Sequence, residues 1–322
     1  MNFCTHFDTN YLPHALTLSD SLIKHAPKHK LFMMCMDNSS YHYLIKNTPK
    51  NAIILNYKNL EKKYSDLLIA KSNRNKVEYF FTCSPAVCNY ILKEFNTIDQ
   101  ITYLDADLYF FSSPKEIFDE IGNKSIAIIE HRFHWLTKRQ IKYGIFNVGW
   151  VTFKNDYEGK RCLNDWMANC IEWCYQKVEK DRFGDQKYLN KWPSNYSNLH
   201  IIEHKGANVA IWNIKNYKLS LKNRKVFIDS TPLVFYHFAN INQLSQHAFN
   251  TNLSRVFVNL KGVLLKNIYL HYLQNLELNF TLNNSFLSKK DKHISGISFF
   301  IFNLSRKIRT LFFNEIVLTN NK

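Results

Sequence analysis

The run Ile101-Thr102-Tyr103-Leu104-Asp105-Ala106-Asp107-Leu108 sets two carboxylates, two positions apart, after a short segment of apolar and β-branched residues. Such a segment reads as a buried strand, so both carboxylates fall just past a strand's carboxyl end. In an open α/β sheet that edge is where ligands bind. Two hard oxygen donors there suit Mn²⁺ or Mg²⁺ bridging a diphosphate. Asp-x-Asp triplets are common by chance. The preceding strand, the apolar run on to Phe111 and the stop at Pro114 give this one weight.

On either side of the motif, helical and strand patterns alternate. Residues 13–25 put Leu16, Leu18, Leu22 and Ile23 on one helical face behind Pro13. Residues 31–36 (LFMMCM) and 52–56 (AIILN) read as buried strands, and 84–95 (SPAVCNYILKEF) as a helix with Ser84 as N-cap and Pro85 in its first turn. Residues 125–130 and 148–153 are further strands around a polar, aromatic loop, and 159–178 form a long helix. This alternation predicts an α/β fold with a mainly parallel sheet covered by helices on both faces.

The 322 residues suffice for one large domain with a smaller appendage, and 46% hydrophobic against 21% charged residues supports a sizeable core. The net charge of +16 fits attraction to polyanions or a Lys- and Asn-rich coding bias. The basic residues are dispersed and no nucleic-acid-binding signature is present, so no nucleic-acid partner is expected. Seven cysteines, an odd number without CxxC spacing, argue against a disulfide framework or a zinc site and for reduced, buried thiols in a cytoplasmic protein. The first ten residues contain His6 and Asp8 and do not read as a secretory signal, and no stretch is apolar enough to span a membrane.

Several stations along the chain, taken in order, resemble the nucleotide-diphospho-sugar transferases of the GT-A fold, most of all glycosyltransferase family 8. Asp8-Thr9-Asn10-Tyr11 is similar to the family's first loop, in which an Asp contacts the base and a Tyr stacks on it. Asp105-Ala106-Asp107 is the metal motif, and Phe146-Asn147-Val148-Gly149 resembles the stretch whose Asn lines the sugar pocket. Gly184-Asp185-Gln186 resembles the pair beside the anomeric carbon, and His237 matches the third metal ligand. The resemblance covers about residues 1–240. It implies a GT-A (Rossmann-like) fold and a metal-assisted, retaining transfer of sugar from a nucleotide donor, UDP-linked by preference. Asp105, Asp107 and His237 would then hold Mn²⁺ or Mg²⁺, with Asp185, Gln186 and Asn147 at the sugar. Were the enzyme inverting, Asp185 and then Glu203 would be the candidate bases.

The chain also departs from the family. After His237 there is no Gly and no Lys-Pro-Trp, and residues 83–92 lack a basic side chain. Diphosphate charge then falls to Lys71, Arg74, Lys76 or Lys205, with Asn208 and Trp212 as pocket candidates in a segment resembling bacterial relatives. The loop with His131, His134 and Trp135 is expected to border the acceptor. These features divide the chain into a catalytic domain over 1–245 and a basic, amphipathic helical C-terminal region over 246–322, with helices at 253–278 and 294–318. Those helices suit an anionic membrane surface, which would make the protein peripheral on the inner membrane face. The acceptor is then a glycan or lipid-linked oligosaccharide, as in lipopolysaccharide or other polysaccharide biosynthesis. The rival readings are a metal-dependent phosphodiesterase and a non-catalytic scaffold.

Overall fold

The computed structural model describes residues 1–282 and 313–319. Its first half runs β1 (Asn2–Phe7), α1 (Leu12–His25), β2 (Lys30–Cys35), α2 (Asn38–Lys46), β3 (Ala52–Asn56), α3 (Tyr57–Lys63), α4 (Asp66–Asn73) and α5 (Lys76–Glu94). Then come β4 (Gln100–Leu104), β5 (Leu108–Phe110), α6 (Lys115–Ile121), β6 (Ile126–Glu130), β7 (Phe146–Lys154), α7 (Tyr157–Glu172), α8 (Trp192–Asn195), β8 (Leu199–Ile202) and β9 (Val209–Ala210). Among the described residues these build a seven-stranded sheet in the order β3-β2-β1-β4-β7-β6-β8. Neighbours are parallel except at β7, which runs against both β4 and β6. The mainly parallel α/β sheet expected from the sequence is what forms.

Two apolar layers cover the sheet. Strand alternation sends Cys4, Phe32 and Val151 to the face under α5 and α7, and Phe3, Leu31 and Trp150 to the face under α1 and α6. Trp150 and Phe235 stack at 5.4 Å, fully buried; each such side chain contributes about 1.5–3 kcal/mol of burial. All seven cysteines are free and buried, as expected.

Several expected boundaries shift. The helix read as 84–95 starts at Lys76, because Asn75 accepts from the Val77 and Glu78 backbone while Glu78 returns a bond to Asn75. This capping box satisfies more orphan N–H groups than a Ser-Pro start could. Ser84 and Pro85 therefore lie inside α5. Pro85 cannot donate to a carbonyl one turn back, and His6 Nε2 donates to the neighbouring Phe80 carbonyl (3.1 Å). The helix expected to reach 178 ends at Glu172, where Trp173 is extended.

The C-terminal part is less helical than expected. After the hairpin β10 (Leu219–Lys222) and β11 (Lys225–Ile228), and β12 (Thr231–Pro232), strand β13 (Phe235–His237) pairs with β5 and β9. A small sheet of β14 (Asn242–Ser245), β15 (Ala248–Asn250) and β16 (Ile316–Leu318) follows, its last strand lying within the stretch 294–318 expected as helix. Within 253–278, one 3₁₀ turn at Leu253–Val256 is separated by extended chain from a helix that begins as a π-turn at Leu264–Tyr269 and continues as α9 (Leu270–Leu282). This helix packs on α1: Tyr272 stacks on Phe238 at 3.7 Å, and Asn279 Nδ2 donates to Asp20 (3.0 Å). Most of the helix expected at 294–318 lies outside the described residues. Among the described residues no helix is long and apolar enough to cross a membrane.

Replacing the true cap tests the helix boundary. Asn75→Ala should lower unfolding free energy by about 1 kcal/mol in urea titration, and an unchanged midpoint would contradict the capping box.

Candidate active site

Topology brings the site together. Asp8 follows β1 and Asp105 follows β4, both at the carboxyl rim of parallel strands. Because β7 is reversed, its first residues, Asn147 to Gly149, reach the same rim; Asp105 N lies 3.4 Å from the Gly149 carbonyl. The Asp-x-Asp turn leads straight into β5, whose partner β13 ends at His237. Phe238 N donates to the Asp107 carbonyl (2.9 Å), so pairing of two short strands fixes His237 beside the carboxylates.

The result is a compact donor set. His237 Nε2 lies 3.0 Å from Asp107 Oδ1 and 3.6 Å from Asp105 Oδ2. One ligand atom from each of the three residues lies within 4.8 Å of the others. Burial disfavours charge on the His237 ring, but Asp107 and then Asp105 outweigh it and raise its pKa. Burial, with Asp107 adding, pushes the Asp105 carboxyl up to about 6, whereas the imidazole holds Asp107 low against its own burial. Two partly exposed carboxylates and a buried imidazole, each turning one ligand atom toward the others, are a donor set that a divalent cation fits.

Beneath this set a hydrogen-bond relay sets the imidazole's tautomer. Burial lowers the His131 pKa to about 3, so its ring is neutral. Its Nδ1–H donates to the Ile145 carbonyl (3.0 Å), leaving Nε2 to accept from Asn147 Nδ2 (3.3 Å). Asn147 Oδ1 accepts from Gly149 N (3.1 Å) and from His237 Nδ1 (3.2 Å). With its proton on Nδ1, His237 presents the Nε2 lone pair to the carboxylates. Gly149 is required here: a Cβ would fall 2.5 Å from Asn147 Oδ1 and 2.9 Å from His237 Nδ1.

The set opens on a cleft of about 470 Å³. Asp8, Tyr11 and Lys76 line it, as do Asp105 and Asp107, and Asp185 and Gln186. Tyr11 is half exposed, and the charge of Asp107, with burial and Asp105 adding, raises its phenol. Lys76 is ion-paired with Asp8. Asp185 accepts from Ser84 Oγ (2.8 Å), and burial, with Asp105 adding, pushes its carboxyl up to about 7. Gln186 Nε2 donates to the Tyr143 carbonyl (3.2 Å). Asn147 and His237 lie buried just behind the wall.

Other candidates stand elsewhere. Lys205 is exposed, 3.4 Å from Asp229, and Asn208 is buried, its Nδ2 donating to the Glu130 carbonyl (3.0 Å). Neither lines the cleft. Lys71 pairs with Glu61, Arg74 binds the Thr82 hydroxyl and helix-end carbonyls, and Glu203 is exposed away from the carboxylates. Trp212 stands edge-on to His237 at 5.0 Å, below the surface. Phe80, Phe81 and Ser84 also line the cleft without any signal in the sequence, where Ser84 reads as a helix cap.

The sequence profile of Glycosyl transferase family 8 matches residues 2–196. The uncharacterised protein YfnD of Bacillus subtilis (strain 168) is 32% identical over 282 residues, covering 86% of this chain and 88% of that protein. The uncharacterised YfnF of the same strain is 29% identical, covering 90% and 98%. Among solved structures, the galactosyltransferase LgtC in complex with donor and acceptor sugar analogues superposes with a TM-score of 0.55 at 13% identity, covering 91% of this chain and 98% of that one. An active-site mutant of LgtC gives 0.52 at 14% identity, covering 74% and 88%. At such identities the likeness shows the GT-A fold.

The buried Asp185 carboxyl makes a pH-dependent prediction. Its folded pKa near 7 exceeds that of an unfolded Asp, so the native state holds the proton longer and loses stability as pH rises from about 4 through 7. Asp185→Asn keeps an acceptor for Ser84 without the charge. Its melting temperature should exceed wild type at pH above about 7, with the gap narrowing toward about pH 4; a pH-independent gap would refute the assignment.

Proposed function

We propose that this chain, which belongs to glycosyl transferase family 8 and is therefore a glycosyltransferase, moves a sugar from a nucleoside-diphosphate donor with a divalent cation held by Asp105, Asp107 and His237. The observation that carries the metal reading is the closeness of those three ligand atoms at the rim of a cleft large enough for a nucleotide sugar. The donor is UDP-linked and the cation Mn²⁺ or Mg²⁺. The cation's contribution is neutralisation of the diphosphate as it leaves.

The chain's own groups do the rest. Tyr11 offers a ring face to the base, and Asp8, steadied by Lys76 and by the Tyr11 backbone N–H, faces the base or ribose. Lys76, more than half exposed at the cleft mouth, can turn from Asp8 to the diphosphate. Gln186 spends its amide N–H on Tyr143, which leaves its carbonyl oxygen for positive character at the anomeric carbon. Asp185 is held by Ser84 in the same wall and orients the sugar. Asn147 acts beneath them by fixing the His237 tautomer. Among the described residues the one further carboxylate of the cleft beside Asp8, Asp105 and Asp107 is Asp185, which is held by Ser84, and this layout favours retention of configuration.

The acceptor is a glycan or lipid-linked saccharide of a surface polysaccharide such as lipopolysaccharide, with the protein cytoplasmic and peripheral to the membrane. The phosphodiesterase reading calls for a larger ligand cluster for two metals, and among the described residues the Asp-Asp-His set is the one such group. The intact set also weighs against a non-catalytic scaffold.

Calorimetric titration with UDP, GDP and CDP, each with Mn²⁺ and with EDTA, tests the reading. One nucleotide should bind only with metal, and Asp107→Asn should weaken it by about a hundredfold or more. Equal binding in EDTA, or by the variant, would remove the metal from the mechanism.

A further inference from the structure

The loop between β6 and β7 has two sides with different chemistry. Its inner side is committed to the site: His131 carries Asn147, the Tyr143 carbonyl holds Gln186, and Thr137 Oγ1 donates to the Trp212 carbonyl (2.6 Å). The loop is thus anchored at its start, middle and end. Its outer side carries three large apolar side chains in the open, Trp135 (74% exposed), Ile141 and Ile145 (38% each). These three share a surface groove of about 360 Å³ with Phe133, Lys138, Glu130 and Arg132, the last bonded to the His204 and Ala207 carbonyls.

The middle of the loop, Lys138–Tyr143, is a 3₁₀ turn with no buried residue. A three-residue repeat eclipses positions i and i+3, so Lys138 stands over Ile141 and Arg139 over Lys142. The first row, which pairs a cation with an aliphatic side chain, lies in the groove, and the second, all cationic, lies about 120° round the exposed turn. Among the described residues none of Lys138, Arg139 and Lys142 has a carboxylate partner, although ion pairs are frequent elsewhere on the surface.

We infer that this face docks on an anionic lipid surface, with Trp135, Ile141 and Ile145 entering the headgroup layer and Lys138, Arg139 and Lys142 meeting lipid phosphates. An amphipathic indole, two aliphatics and unpaired cations are what such an interface selects. A saccharide would use the indole but has no need of the flanking isoleucines. The overall charge of +16 draws the chain to the same surface. Docking there would bring to the membrane the same loop that holds Gln186 and Asn147 on its inner side. The surface itself needs no glycosyl transfer; only its use for a lipid-linked acceptor rests on the reading above.

The test is co-sedimentation of the full chain with phosphatidylcholine vesicles, with and without phosphatidylglycerol. Wild type should partition onto the anionic vesicles and be released by salt. Lys138→Glu with Lys142→Glu should cut partitioning by about tenfold or more, and Trp135→Ala with Ile141→Ser severalfold, with melting temperatures unchanged. Equal partitioning of wild type and both variants would overturn the inference, assigning any binding to the C-terminal segment. So would indifference to phosphatidylglycerol, or variants that lose acceptor use while keeping vesicle binding. Metal-dependent nucleotide binding, titrated in the same samples, separates failure of this surface from failure of the catalytic reading.

Discussion

The imidazole of His237 can serve as a ligand only with its proton on the far nitrogen, and the structure secures that with a relay of neutral groups. A backbone carbonyl at Ile145 orients His131, His131 orients the Asn147 amide, and the amide takes the His237 Nδ1 proton. The three side chains are buried, where an unmet hydrogen bond costs about 1–3 kcal/mol. The relay therefore has one satisfied arrangement, and reversing any member leaves another unpaired. The Asp105, Asp107 and His237 set proposed to hold the cation inherits its order from this stack, in the way that outer groups orient inner ones in metal proteins.

That relay in turn depends on a single reversed strand. Were β7 parallel to its neighbours, Asn147 would sit at the opposite rim from Asp105. Reversal puts the strand's first residues over the carboxyl end of β4 and delivers the loop before it to the same place. The loop can thereby serve the cleft with one face and solvent or a surface with the other. Gly149 marks the tightest point, where amide, imidazole and backbone converge without room for a side chain.

Much of this was written in the sequence where one local rule sufficed. The strand running into Asp105 could be read from a short apolar run, and Asp105 reached the cleft together with Lys76 and with Asp8, Tyr11, Asp185 and Gln186, which the family resemblance had pointed to. Where two rules competed, the more conspicuous one misled: Ser84-Pro85 outweighed Asn75 and Glu78, although the reciprocal capping box sets the helix start. Where position depended on pairing across the chain, the sequence was silent. Lys205 and Asn208 looked like pocket residues by their neighbours in sequence, yet β9 is laid beside β13 with both facing away from the cleft lining. His131 was visible as a loop histidine, but its duty beneath Asn147 follows from a fold-level contact.

The contact between His14 and Tyr272, 2.7 Å apart in space and 258 positions apart in sequence, carries a consequence for how the protein is made. The helix bearing Tyr272 covers the face of α1 next to Tyr11, and its stack on Phe238 backs the strand that ends in His237. A ribosome adding about 5–20 residues per second needs on the order of tens of seconds to travel between those two positions. The last strand of the sheet, β8, is made late in that interval, and from then until Tyr272 follows the nascent chain has its sheet and carboxylates without the element that closes the α1 face. Competence thus waits on the synthesis of that helix, and the interval before it is when a chaperone would find the uncovered aromatic surface.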